Sequence, residues 1–274
     1  MKRIFTIILT SLVSLTCLAQ AQVTIVSRKE KLADFPTKTM KVVLPGEDYV
    51  SMALREALRN SWSVSAYEFC GPAEFNALKE KDGYYFMVPY KNDGKKYDGI
   101  TYLTVVKSGA KELGDMMELA TMPLAPGDEP LGREGAYMPA ILDVMQRHIE
   151  RSLVEGSKNI SSMVEKAPKA STMDLVIDEA DLGSGISEKL RAKKLQGVVK
   201  SSAEAAAIFQ DAAARTEVGY TISPTEPGTG AVCYKMLFDA RTHSLYYFEK
   251  HKISESNGRG FLKKDISKLT AGRK

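Results

Sequence analysis

Apolar positions along the chain alternate between two periods, and the alternation itself repeats. Short runs over residues 39–44, 63–69, 83–89, 100–107 and 116–122 are rich in β-branched and aromatic residues and end in turn-forming clusters, so they read as strands. Between them the apolar spacing changes to three and four. Val50, Ala53, Leu54, Ala57 and Leu58 fall on one helical face, and Met138, Ile141, Met145 and Ile149 stripe a longer helix over 136–155. The succession restarts near Thr172. Runs at 172–177, 197–200, 219–224, 232–239 and 245–253 read as strands. Ile186, Leu190 and Leu195 mark one helix, and Phe261, Leu262, Ile266 and Leu269 mark a closing helix over 260–269.

Helix-start signals also recur in step. Gly71-Pro72-Ala73-Glu74 offers Gly at the N-cap and Pro at the first helical position. Ser201-Ser202-Ala203-Glu204 is a capping box, in which Ser and Glu each satisfy a backbone N–H of the first turn. Both halves therefore predict the order β-α-β-α-β-β-β-α, offset by 130 to 136 residues as loop insertions would produce. The expected fold is α+β or α/β: two similar modules, each a mixed sheet with helices packed on it, arising by tandem duplication. The modules span 39–155 and 172–274. Residues 156–171, rich in Ser and Lys with Pro168, form the linker, and 22–38 form an N-terminal extension with one strand candidate at 23–27.

Residues 1–21 have a different character. Lys2 and Arg3 precede an uncharged apolar run over 4–18, and Ala19-Gln20-Ala21 places small residues where signal peptidase cuts. The run falls short of the ~20 residues a membrane span needs. An exported protein, periplasmic or extracellular, is therefore expected, with no integral membrane segment after cleavage. Ser14-Leu15-Thr16-Cys17 lacks the Leu and the small residue of a lipobox, so lipidation at Cys17 is not expected. Beyond the leader two cysteines remain, Cys70 and Cys233, both in apolar strand-like contexts. They could pair in an oxidising compartment or stay as buried thiols.

In element order, residues 40–44, 50–58, 83–89, 100–122 and the helix ending at Glu155 resemble the small α/β module at the N-terminus of TolB-type periplasmic proteins. They also resemble curli-secretion (CsgG-type) envelope modules, and residues 173–269 repeat the likeness. The resemblance implies a mixed sheet with helices on one face, in a module that docks partner proteins. It carries over no functional residues.

Composition narrows the chemistry. The chain has 274 residues, 44% hydrophobic and 26% charged, with a formal charge of +4, which excludes disorder and does not suggest a nucleic-acid partner. Its mean hydropathy is −0.20. Loss of Lys2 and Arg3 with the leader leaves +2, of which residues 249–274 contribute +5 and the rest −3. Lys250, Lys252, Arg259, Lys263, Lys264 and Lys268 are thus a candidate patch for an anionic glycan, a lipid headgroup or an acidic partner.

Neither His148, His243 nor His251 stands in a nucleophile or zinc motif, and no phosphate-loop lysine or nucleophile elbow is present. No cofactor and no metal are expected. The acids best grouped for a hard cation are Asp178, Glu179 and Asp181, but Ala180 occupies a ligand position of the EF-hand pattern. The expectation is a non-enzymatic, envelope-associated interaction or scaffold protein, docking another envelope protein in the sense that the resemblance implies. The alternative is a small-ligand or glycan binder using the inter-module cleft, followed by an enzyme of unrecognised type.

Overall fold

The computed structural model describes residues 29–92, 97–156 and 163–273. The leader and the 23–27 strand candidate lie outside them. The first module contains β1 (Thr39–Val43), α1 (Tyr49–Ser61), β2 (Ala66–Cys70), α2 (Pro72–Leu78), β3 (Tyr85–Lys91), β4 (Ile100–Lys107), β5 (Met117–Pro126) and α3 (Glu134–Glu155). The second contains β6 (Asp174–Asp178), α4 (Glu188–Lys194), β7 (Val199–Lys200), α5 (Ser202–Gln210), β8 (Thr216–Ile222), β9 (Val232–Asp239), β10 (Leu245–Lys252) and α6 (Lys263–Leu269).

The two sheets have the same order and sense. In the first, β2-β1-β3-β4-β5, the pairs of β1 with β2 and β3 are parallel and the later pairs antiparallel. The second runs β7-β6-β8-β9-β10 with the same senses. The fold is α+β, with two similar sheet–helix modules.

Helices cover both faces of each sheet, not one face as the resemblance implied. The reason is handedness. The β1–β2 crossover steps one way across the sheet and the β2–β3 crossover steps back, so two right-handed connections must use opposite faces. Hence Met40, Val42, Tyr85, Met87, Leu103 and Val105 pack with α1 and α3, whereas Val43, Phe86, Val88 and Val106 pack near Phe75 and Leu78 of α2. In the second sheet Leu175, Ile177 and Leu237 face Ile266 and Leu269 of α6. Val176, Val218, Tyr220, Met236 and Phe238 face α5 and the first module.

The modules therefore pack front to back, through non-equivalent surfaces. α3 belongs to the α1 side of its own sheet, while the second module presents its α5 side. One buried cluster runs through both. Tyr137 of α3 stacks on Tyr220 with centroids 4.0 Å apart, and the Tyr102 and Tyr234 hydroxyls lie 3.2 Å apart. Backbone joins them as well, since the Val232 N–H donates to the Asp98 carbonyl at 2.9 Å. Gly99 (φ +83°) sits so close to this joint that a Cβ would lie 2.5 Å from Pro224 Cγ, which is why the position takes a residue without one.

Both connecting segments are docked where they are described. Of the 156–171 linker, residues 157–162 lie outside the described residues. Met163 is buried in the shared core, and the Glu165 N–H donates to the Leu245 carbonyl at 2.7 Å. The 22–38 extension is likewise docked where it is described. Leu32 and Phe35 are buried, Phe35 meets the Tyr85 ring edge-on at 4.9 Å, and the Tyr85 hydroxyl donates to Asp34 at 2.6 Å. α3 runs for 22 residues where its counterpart α6 has 7. The extra turns carry it from its own sheet to the second module.

A shared core predicts shared unfolding. Phe209→Ala, in the second module, should cost about 3–5 kcal/mol and shift the transition seen by Trp62, in the first module, as much as that seen by far-UV circular dichroism. Urea melts of both variants read by the two probes check this. A Trp62 transition that stays put would show the modules to be independent.

Candidate functional site

A cleft of about 1020 Å³ opens at the module junction. That volume lies at the upper end of ligand pockets, roughly 300–1,000 Å³. α1 forms one wall, α5 the other and the first half of α3 the floor. The three helices point the same way. At their N-terminal ends the Tyr49 hydroxyl donates to the Gly132 carbonyl (2.7 Å) and accepts from the Gly135 N–H (3.3 Å), while Ser202 Oγ donates to Asp178 (2.8 Å). Farther along, Gln146 of α3 accepts from the Ser63 N–H just past α1 (2.6 Å), and Phe209 near the end of α5 stacks on His243 (5.3 Å).

The first end rests on Arg133, the residue just before α3. Its guanidinium reaches into the second module, with Nη1 donating to Asp178 (2.6 Å) and Nη2 donating to Asp181 and to the Thr221 carbonyl (3.1 Å). Asp178 and Asp181 are fully buried. Asp181 also accepts from the Thr221 N–H at 3.1 Å and from its hydroxyl. Complete burial raises the Asp181 carboxyl, with Arg133 and Thr221 pulling the other way. Burial opposes the Arg133 charge, but Asp181 and Asp178 outweigh it and hold the guanidinium firmly protonated. Arg133 Nε, Glu134 Oε2 and the Tyr137 hydroxyl are enclosed without a hydrogen-bond partner, so this turn is polar beyond what its neighbours satisfy.

The wall of α1 grades from apolar to polar. Tyr49, Met52, Glu56 and Asn60 follow one another along its cleft side. Among the described residues the exposed large hydrophobic side chains are Tyr49, Met52, Tyr97, Leu131 and Val154, and Tyr49, Met52 and Leu131 all line the cleft. At the far end stand Gln210, Ala212, Arg241 and His243. Among the described residues, Ala212 (φ +50°) and His243 (φ +54°) are two of three non-glycine residues in the left-handed region, a conformation that costs energy and concentrates at functional positions. His243 Nδ1 lies 2.7 Å from Asp143 Oδ2 on α3, which fixes the ring and leaves Nε2 as its free nitrogen.

The residues singled out from sequence lie elsewhere or serve otherwise. Asp178 and Asp181 are engaged by Arg133, and Glu179 is exposed beside them. No group of three potential metal ligands occurs among the described residues. The basic residues do not form one patch. Lys250 and Lys252 pair with Tyr234 and Val232 on the α5 side of the sheet, whereas Lys263, Lys264 and Lys268 lie on α6, across the other face. Lys268 pairs with Glu249 at 3.3 Å, and Arg259 is tied to Ser223 Oγ and the Thr225 carbonyl. Cys70 and Cys233 are free and buried, and burial pushes both thiols up to about 11. Sequence reasoning missed Arg133, Arg241 and the His243–Asp143 pair, and the chain offers no local signal for any of them. Asp143 and His243 stand 100 residues apart.

Fold and cleft together define a two-module α+β protein with a cleft built at the junction. No protein-family model, curated protein or solved structure matches the chain. No helix among the described residues is long and apolar enough to cross a membrane.

Arg133→Met leaves two buried carboxylates uncompensated and should cost about 3–5 kcal/mol. Adding Asp178→Asn and Asp181→Asn to it should recover part of that loss, as urea melts at neutral pH would measure. A near-neutral Arg133→Met would show that the carboxylates do not need the guanidinium.

His148 gives a pH signature. It is buried on α3, and burial, aided by Arg151, lowers its pKa below the usual 6.5. Below pH 6.5 the unfolded chain takes up a proton that the folded chain resists, so stability falls as pH drops through that value. His148→Gln should flatten the slope of urea midpoints between pH 7 and 5, leaving the part due to His251, whose pKa burial also lowers. An unchanged slope would remove His148 from the linkage.

Proposed function

We propose that this chain is an exported, non-enzymatic binding protein of the cell envelope, and that the cleft between its modules is the working site. Export rests on the character of residues 1–21 and the envelope on the resemblance in element order. Of the two binding readings drawn from the sequence, the cleft reading has the better support, and one observation carries it. A soluble domain scatters its exposed apolar side chains singly, whereas here Tyr49, Met52 and Leu131 converge on a single cavity. Tyr97 and Val154 line no part of it, and among the described residues no second cluster of exposed large hydrophobic side chains supports docking of a large partner. An anionic partner held by residues 250–268 loses its main argument, because those bases lie on two faces of a sheet. The shared strand order of the modules is our ground for reading them as a duplication.

Filling the cleft tests the reading. The wild-type chain should take up one equivalent of a neutral apolar dye such as Nile red. Ala206→Trp, which places an indole in the cleft from the α5 wall, should weaken that binding about tenfold or more with little change in melting temperature. Dye uptake that is absent, or unaffected by Ala206→Trp, would overturn it.

A further inference from the structure

We infer that the cleft takes a single-chain amphiphile with an oxyanion head, the head held at Arg241 and His243 and the chain lying toward Tyr49. This rests on the cleft being the binding site and adds the ligand's chemistry and direction.

Three observations carry it. The cleft is polarised along its length, with exposed apolar groups around Tyr49, Met52 and Leu131 at one end and polar groups at the other. From Tyr49 to Asn60 the α1 wall is about 16 Å long at 1.5 Å per residue, a span suited to a medium-length alkyl chain lying extended. Between its ends the floor and the α5 wall are lined by small side chains, among them Ala136, Ala203 and Ala206, which leave a smooth trough for a chain.

The polar end carries Arg241 as its unpaired cation, with Glu56 on the α1 wall as the lining carboxylate and Asp143 engaged by His243. Arg241 is exposed there and makes no ion pair or hydrogen bond from its guanidinium among the described residues, unlike Arg133, whose charge is spent on Asp178 and Asp181. A free guanidinium presents a planar fork of donors that matches a carboxylate or phosphate. His243, its Nδ1 engaged by Asp143, is held by a strained backbone and by stacking on Phe209, with Nε2 left for a ligand. A turn that holds His243 and Arg241 at the mouth of a cavity, at a cost in backbone strain, has the character of a site.

Isothermal titration with dodecanoate, dodecyl phosphate, dodecanol and dodecyltrimethylammonium, each below its micellar concentration, tests the inference. Dodecanoate or dodecyl phosphate should bind at one equivalent and about tenfold or more tighter than dodecanol, and the cation should bind weakest. The better of the two anions tells carboxylate from phosphate. Arg241→Gln, at an exposed position, should abolish the advantage of the anion over the alcohol while leaving alcohol binding and melting temperature unchanged. Equal binding of dodecanol and both anions would overturn the head-group assignment and leave the cleft as binding site. So would an anion preference that survives Arg241→Gln. No binding by any of the four would remove both.

Discussion

The junction depends on one buried guanidinium. Arg133 ends the loop before α3 in the first module, and its partners Asp178, Asp181 and Thr221 all belong to the second. Such a pair is poor evidence for net stability, since the desolvation of three charges offsets much of their attraction. Its consequence is registry. Two carboxylates without solvent and without Arg133 are strongly unfavourable, so the second module has one position on α3 in which its buried charges are compensated. The Tyr137–Tyr220 stack and the α5 contact then fall into place around that position.

Registry matters because the packing is not symmetric. Two copies of a module could bury like faces against each other about a pseudo-twofold axis, which would close the interface on itself. Here the α3 side of one sheet meets the α5 side of the other. The halves of the cleft therefore come from different elements, α1 on one side and α5 on the other, and a single copy of the module could not form it. The difference in length between α3 and α6 follows from the same asymmetry. A helix that serves two sheets needs apolar residues around most of its circumference, and α3 buries Tyr137, Met138, Ala140, Ile141, Leu142 and Val144 in close succession.

Much of this was legible from local pattern. The capping box at Ser201 and Glu204 is present, Gly71 and Pro72 open α2, and β4 and β9 occupy the predicted residues. Periodicity succeeds there because each element's apolar face is written within a few residues. The placement of helices on both faces was also within reach, because the predicted order combined with right-handed crossovers requires it. What was not legible is long-range. Asp178 and Asp181 read as members of a cation-type acidic loop because nothing near them indicates that an arginine 45 residues upstream of Asp178 will engage them in the core. The basic C-terminal segment looked like one patch because a linear count ignores that β10 and α6 carry their lysines on opposite faces of the sheet.

The cleft is the feature least visible in sequence, and the reason is physical. Tyr49, Met52 and Leu131 are apolar residues at positions where an isolated helix or loop would tolerate them, and a pattern of periods assigns them to a core. They become informative only when the structure shows that the core is already complete without them. Leu54, Ala57 and Leu58 close the α1 side of the first sheet, and Met52 remains 51% exposed on the opposite edge of the same helix. Exposure of that kind is unfavourable in water, and folding alone supplies nothing at that position to offset it. It is sustained here beside two residues in left-handed backbone and beside enclosed polar atoms of Arg133, Glu134 and Tyr137 that lack partners. Unfavourable terms of three kinds, apolar, conformational and polar, thus meet around this cavity. Local conflict with otherwise consistent packing is what a binding surface requires of a folded chain.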